Sequence, residues 1–379
     1  MSLSSDDRWD AFRRQMPIAA KWAYFDHAAV APLPAATRDT ILAWANEAAA
    51  EGDTVWPTWS KRLEETRSLA AQLIGAAPAD VALVHSTTEG ISLVAEGYPW
   101  QAGDNVVTLD NEFPSNLYPW LNLASRDVET RRVSTEDGRV DLARLAAACD
   151  DRTRMVAVSW VGYLSGWRID LPEVAAVTHR AGALLFVDAI QGLGAFPLDV
   201  GATPIDFLAA DGHKWLLGPE GAGLLYIRRE HLDRLRPIGV GWNSVVHSHD
   251  FGHIELRLKP SAARYEGGSP NMVGWLGLGA SLQLLLQTGI EAIGERVLAI
   301  TDEACRRIEA LGGIVASDRG GAARSGIVSF EMPARDSVGL RRQCLAAGVA
   351  LGVRGGRLRI SPHAYVNDDD LDRLIAALA

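Results

Sequence analysis

The chain has 379 residues, 48% of them hydrophobic and 22% charged, which is enough apolar content to bury a large core and excludes a disordered chain. A formal charge of −10 and an isoelectric point near 5.4, without any run of lysines and arginines, exclude a broad basic surface for nucleic acid. Cys149, Cys305 and Cys344 are an odd set with no CxxC spacing, and no stretch approaches ~18 uninterrupted apolar residues, so the expectation is a soluble, cytoplasmic protein with reduced thiols and no signal peptide.

The N-terminal stretch Trp9 to Met16 is expected to pack on the C-terminal part of the chain. Short runs apolar on both faces then predict strands over Val81–Val84, Asn105–Leu109, Arg154–Ser159, Ala183–Val187, Phe207–Ala210 and Gly223–Ile227. Helical patterns such as Leu171 to Arg180 separate them, as in a mainly parallel sheet covered on both sides. After Gly267-Gly268-Ser269-Pro270-Asn271 the pattern changes to one long helical stretch, roughly 274 to 311, then short strands near 326–330, 350–353 and 358–361 and a last helix from Asp368. This predicts a large α/β domain over 17–270 and a smaller α+β domain over 271–379, with residues 1–16 packed on the latter.

The chemistry concentrates around Lys214, in Asp211-Gly212-His213-Lys214-Trp215, 26 residues after Asp188 in Phe186-Val187-Asp188-Ala189-Ile190-Gln191. A lysine closing an apolar strand beside glycine can form a Schiff base with an aldehyde. An aspartate at the end of the preceding strand can hold a pyridinium nitrogen protonated, and Gln191 can reach the ring's 3-oxygen. Ser86-Thr87-Thr88-Glu89 has the spacing of a capping box at a helix start, where free N–H groups and threonine hydroxyls suit a phosphate. Together these features call for pyridoxal 5'-phosphate.

In order along the chain, Tyr24-Phe25-Asp26-His27-Ala28-Ala29, Ser86-Thr87-Thr88-Glu89-Gly90, Asp188-x-x-Gln191, Gly212-His213-Lys214-Trp215 and Arg359-Ile360-Ser361-Pro362-His363 resemble the class V aminotransferase family. That family comprises pyridoxal-phosphate enzymes of fold type I, such as cysteine desulfurases, kynureninase and isopenicillin N epimerase. The resemblance implies a seven-stranded type of sheet in the large domain and a homodimer with its sites at the interface. It assigns the cofactor aldehyde to Lys214, the pyridine nitrogen to Asp188 and the phenolic oxygen to Gln191. Thr87, Thr88, Asp211 and His213 lie around the phosphate, and Ser269 reaches the partner's phosphate. Arg359 holds the substrate's carboxylate, with Arg264, Arg354 and Arg357 as alternatives, and His27 and Ala29 also lie on the substrate side.

The sequence departs from the desulfurase pattern at two places. Phe113 stands where desulfurases carry a ring-stacking histidine, and it is expected to stack on the cofactor instead. No cysteine occurs between Val353 and Arg359, where the reactive loop of desulfurases belongs, so persulfide formation has no evident nucleophile. His247, His249, Asp250 and His253 carry no further metal signature, and no metal is expected. Trp56, Trp59, Trp160, Trp242 and Trp275 are read first as packing or interface residues. These features order the expected functions as aminotransferase, then C–S or other β-elimination lyase, then epimerase; a catalytically silent cofactor-binding dimer is the alternative from another class.

Overall fold

The protein is described here by a computed structural model covering residues 7–136 and 138–379. In chain order the elements begin with α1 (Asp7–Arg14), β1 (Ala23–Tyr24), α2 (Ala35–Glu51), α3 (Trp56–Leu73), β2 (Val81–Val84), α4 (Thr87–Gly97), β3 (Asn105–Leu109), α5 (Tyr118–Leu121), β4 (Glu129–Val133) and α6 (Leu142–Ala148). They continue with β5 (Thr153–Ser159), α7 (Leu171–Arg180), β6 (Leu184–Asp188), β7 (Phe207–Asp211) and β8 (Gly223–Ile227). The C-terminal part holds α8 (Met272–Thr288), α9 (Ile290–Ala310), β9 (Ile314–Val315), β10 (Val328–Glu331), α10 (Ser337–Ala346), β11 (Val349–Ala350), β12 (Gly352–Arg354), β13 (Arg357–Ile360) and α11 (Asp368–Leu378).

The central sheet has seven strands in the order β2-β8-β7-β6-β5-β3-β4. Strands β4, β3, β5, β6 and β7 run parallel, and β8 is antiparallel to both β7 and β2. Every residue of β3, β7 and β8 is buried, because helices cover both faces, and this is why these strands read as unbroken apolar runs. The expected α/β architecture is therefore present. Strand β4 escaped the sequence reading because it is an edge strand, Glu129-Thr130-Arg131-Arg132-Val133, in which only Val133 is buried; charged side chains on an edge discourage pairing with other chains.

The long helical stretch expected over 274–311 is two helices, α8 and α9, meeting at 81°. Gly289 between them has φ +91°, open to glycine and costly for other residues, so the chain turns there instead of continuing. No single helix among the described residues is long and apolar enough to cross a membrane. A four-stranded sheet, β12-β13-β10-β9, is antiparallel throughout, while β1 pairs in parallel with β11. Helix α1 packs beside them: Phe12 meets the rings of His363 and Tyr365 edge-on at 5.4 and 6.2 Å, and Arg13 binds Asp370 at 2.6 Å.

The two ends of the sheet treat buried carboxylates differently. At the end where β6 and β7 begin, Asp206 accepts hydrogen bonds from Leu185 N–H at 2.7 Å and from His179 Nε2 and His231 Nε2 at 2.8 Å each. Burial pushes its pKa up, but the bonds from His231, Leu185 and His179 outweigh burial and hold it below the ordinary carboxylate value. At the opposite end, where β6 and β7 finish, lie Asp188 and Asp211.

Candidate active site

Strand β6 ends on Asp188 and β7 on Asp211, and Lys214 follows in the turn beyond β7. Helix α4 is drawn over this edge because Gly90 lacks a side chain: a Cβ there would stand 2.8 Å from Ala209 Cβ. The helix start thus reaches Asp211, whose backbone N–H donates to Thr87 Oγ1 at 2.9 Å. Thr88 Oγ1 donates to Ser115 Oγ at 2.8 Å. Only half of the expected capping box forms. Ser86 Oγ accepts from Glu89 N–H at 3.1 Å, but the Glu89 carboxylate bypasses Ser86 and accepts from the backbone N–H and Nδ1 of His85.

These elements enclose a cavity of about 350 Å³. Thr87, Thr88, Phe113, Ala29 and Gln191 line it, as do Asp188, Asp211, His213, Lys214 and Arg359. Two expected site residues are absent from the lining. Ser269 lies on an exposed stretch before α8. His27 is fully buried behind the wall, its Nδ1 3.0 Å from Ser361 O and its Nε2 3.0 Å from Tyr365 Oη, within a ring cluster that includes Trp215 and His363.

Lys214 is buried, and burial lowers its pKa to about 8, with the charge of Asp188 pulling the other way. Burial likewise lifts Asp188 to about 6, opposed by a hydrogen bond from Ile190 N–H at 3.0 Å and by Lys214. An amine brought near neutrality and a carboxyl held above its usual range are two buried groups whose needs the protein alone leaves incompletely met. Backbone strain accompanies them: Leu217, whose N–H bonds Lys214 O at 3.0 Å, has φ +57°. Ser281 Oγ holds Leu217 O at 2.8 Å and is itself 2.6 Å from Thr37 Oγ1.

Gln191 is fixed by two bonds, Nε2 to Ala28 O at 3.1 Å and Oε1 from Trp215 Nε1 at 3.0 Å. Those partners settle which end of the amide is which and leave one N–H of Gln191 unspent. The Phe113 ring centre is 5.5 Å from Lys214 Nζ and meets the Tyr163 ring edge-on at 5.2 Å. Its position depends on Glu112, a buried residue that the sequence reading passed over. Glu112 accepts from Ser159 N–H at 2.7 Å and from Ser159 Oγ, while burial lifts its pKa to about 7. The signal available in the sequence was a charged residue immediately before the proposed stacking ring.

Of the four arginines open for carboxylate binding, Arg354 and Arg359 line the cavity. Arg264 is spent on Asp233 and Lys259 O, and Arg357 on Glu331. Arg359 donates to Tyr163 O at 2.9 Å and Asp26 Oδ1 at 3.2 Å, and its buried Nε has no partner. His213 Nδ1 stands 3.0 Å from Asp211 Oδ2 but off line for a hydrogen bond, so this buried ring nitrogen is also unspent. The donor set fits pyridoxal phosphate: an amine for the aldehyde, an acid for the pyridine nitrogen, an amide N–H for the ring oxygen, and threonine hydroxyls at a helix start for the phosphate.

Comparison with known proteins agrees. The family model "Aminotransferase class-V" matches residues 23–374. A probable cysteine desulfurase of Methanothermobacter thermautotrophicus is 30% identical over 97% of the chain and 96% of its own length. A cysteine desulfurase of Dickeya dadantii is 37% identical over 72% of the chain and 68% of its own length. Among solved structures, the cystine C–S lyase C-DES, in complex with its product cysteine persulfide, superposes with a TM-score of 0.89 at 23% identity, over 96% of this chain and 99% of that one.

Proposed function

The chain belongs to the aminotransferase class-V family of pyridoxal-phosphate enzymes, and from that premise we propose that it is a lyase that eliminates a β-substituent, C–S bonds foremost, from an amino acid. Bound pyridoxal phosphate supplies an electron sink for the carbanion left when Cα loses its proton. Lys214 Nζ is the base that takes that proton, and burial, by lowering its pKa to about 8, raises the fraction of neutral amine that this requires. Asp188, buried near the charge of Lys214, would hold the pyridine nitrogen protonated as its counter-charge. Gln191 turns its free N–H to the ring oxygen, oriented by Trp215. Thr87, Thr88, Asp211 and His213 line the cavity and would hold the phosphate, and Phe113 would stack on the ring. Arg359, already bonded to Asp26 and Tyr163 O, holds the α-carboxylate through its remaining donors. Ala29 forms the wall on the substrate side, and His27 supports that wall through Ser361 and Tyr365.

The observation that carries this reading is the buried Lys214–Asp188 pair in a cavity that holds two guanidinium groups and no thiol. Transamination needs only the same lysine, but the two desulfurase relatives and the C–S lyase neighbour favour bond cleavage at Cβ. Desulfuration through an enzyme persulfide is disfavoured. Strands β12 and β13 are joined by Gly355-Gly356 alone, and both glycines have positive φ, as the tight hairpin turn of that length demands. Cys344 and Cys305 are buried elsewhere, their pKa values raised by burial. By analogy with the family we propose a homodimer in which Ser269 reaches the partner's phosphate, and its exposed position leaves it available for that contact. The cytoplasmic placement is part of this proposal and is supported only by three cysteines that do not pair with one another.

The test is to incubate the cofactor-loaded protein with individual amino acids and assay pyruvate and ammonia against cofactor amination. Pyruvate formed at many equivalents per site supports the lyase. Stoichiometric amination of the cofactor, reversed by a keto acid, would instead make the enzyme an aminotransferase, and racemised amino acid without pyruvate would make it an epimerase.

A further inference from the structure

The β12–β13 hairpin carries three arginines on one face. Arg354 lies directly opposite Arg357, and Arg359 lies opposite Gly352, two residues along β12 from Arg354. Arg354 and Arg359 are therefore diagonal neighbours, roughly 7–8 Å apart at Cα. Their charges are met unequally. Arg357 has Glu331 at 2.7 Å and Arg359 has Asp26 at 3.2 Å. Arg354 has no carboxylate within ion-pair reach among the described residues; its guanidinium donates only to the adjacent Val353 O, at 2.8 Å. It nonetheless lines the active-site cavity, at the tip of a turn held to two glycines rather than on a long loop. Burial is the first cause of the low pKa values of Lys214 and Arg359, and the positive charge of Arg354 adds to it in both.

None of the neighbouring acids pairs with Arg354: Asp188 faces Lys214, Asp211 accepts from Gly212 N–H beside His213, and Asp26, behind the lining, pairs with Arg359. With the α-carboxylate assigned to Arg359, Arg354, exposed at the rim of the cavity and acting on Asp26 only through its longer-range charge, remains without an ion-pair partner. The geometry points to Arg354 as the residue that reads an anionic oxygen group on the substrate's β-substituent, so that the substrate class is amino acids such as S-sulfonates of cysteine. This rests on the lyase reading above and deepens it.

The chemistry is consistent with the short turn. A β-substituent that leaves as a stabilised anion needs no enzyme thiol to accept it. For cysteine S-sulfonate, Lys214 takes the Cα proton and the electron pair at Cα forms the Cα=Cβ bond. The Cβ–S bond breaks with its pair on sulfur, releasing thiosulfate. Water then converts 2-aminoacrylate to pyruvate and ammonia. The sum is cysteine S-sulfonate and water giving pyruvate, ammonium and hydrogen thiosulfate, with no outside oxidant or reductant.

The experiment compares kcat/KM for pyruvate formation from S-sulfo-L-cysteine and from β-chloro-L-alanine, whose leaving group carries no oxygen anion before departure. The cofactor-loaded wild type, Arg354→Gln and Arg354→Lys are used, with the cofactor absorbance band confirming an intact site. The ratio of the two values is expected to fall roughly 30-fold in Arg354→Gln, as for loss of a charge-assisted contact, and to recover in part in Arg354→Lys. A ratio unchanged in Arg354→Gln, including one in which both substrates decline together, would overturn the assignment while leaving the lyase intact. No pyruvate from either compound in the wild type would overturn the lyase reading and this inference with it.

Discussion

Asp206 and Asp188 are the same residue type, both buried, at opposite ends of neighbouring strands of one sheet, and the protein handles them in opposite ways. Asp206 is completed by two imidazoles and a backbone N–H, which hold its pKa down against burial. Asp188 receives one backbone N–H, and burial raises its pKa to about 6. The strand-starting end spends its hydrogen bonds on folding. The strand-finishing end withholds them, and the unmet charge there is what the proposed cationic ring would offset.

The largest effect separating the two ends should come from Asp188→Asn, which removes the carboxylate proposed as the counter-charge for the ring nitrogen. The expected loss in kcat/KM is about 1,000-fold, or ~4 kcal/mol of transition-state stabilisation, measured by steady-state kinetics on cofactor-saturated protein. A loss below ten-fold would erase the distinction. Asp206→Ala should do the reverse. It strands two imidazoles and a backbone N–H and is expected to cost about 3 kcal/mol of stability by denaturant unfolding, while kcat per folded, cofactor-loaded site stays within roughly two-fold.

The pH dependence sharpens the contrast, and the two signs differ. The folded pKa of Asp206 is depressed, so its contribution is present above the unfolded value near ~3.9 and is lost as pH falls through the still lower folded value. The folded pKa of Asp188 is raised to about 6, so ionisation costs stability, and the cost grows as pH rises from the unfolded value toward 6. Cofactor-free Asp188→Asn should therefore be more stable than cofactor-free wild type at pH 7, by about 2 kcal/mol, with the gain vanishing below pH ~4. Equal stability at pH 7 would show that Asp188 is not held in deficit. The smallest effect belongs to His179→Phe, which removes one of Asp206's donors from a partly exposed position and is expected to lower stability by about 1 kcal/mol in urea titrations.

What could be read from the residues alone follows from how far apart the interacting groups lie in sequence. Strands buried on both faces announce themselves as apolar runs, and the Asp188–Gln191 and His213–Lys214 spacings are local, so both were visible. Strand β4 was hidden by the charges that protect its edge, and the bend at Gly289 by a helical pattern that continues on both sides of one residue. The Asp206 hub was out of reach because its imidazoles come from positions 179 and 231, with no motif joining them. For the same reason nothing in the sequence tied Trp215 to Gln191, or removed His27 from the cavity wall. The tight β12–β13 turn was partly legible, since a missing cysteine can be seen, but the unequal pairing of Arg354, Arg357 and Arg359 needs the register of the hairpin.

The central claim is a covalent bond between the cofactor aldehyde and Lys214. Borohydride reduction of the protein loaded with pyridoxal phosphate, followed by digestion and mass spectrometry, tests it directly. The account predicts one phosphopyridoxyl group per chain, on the peptide containing Lys214. Modification confined to Lys21, Lys61 or Lys259, or no modification at all, would contradict it.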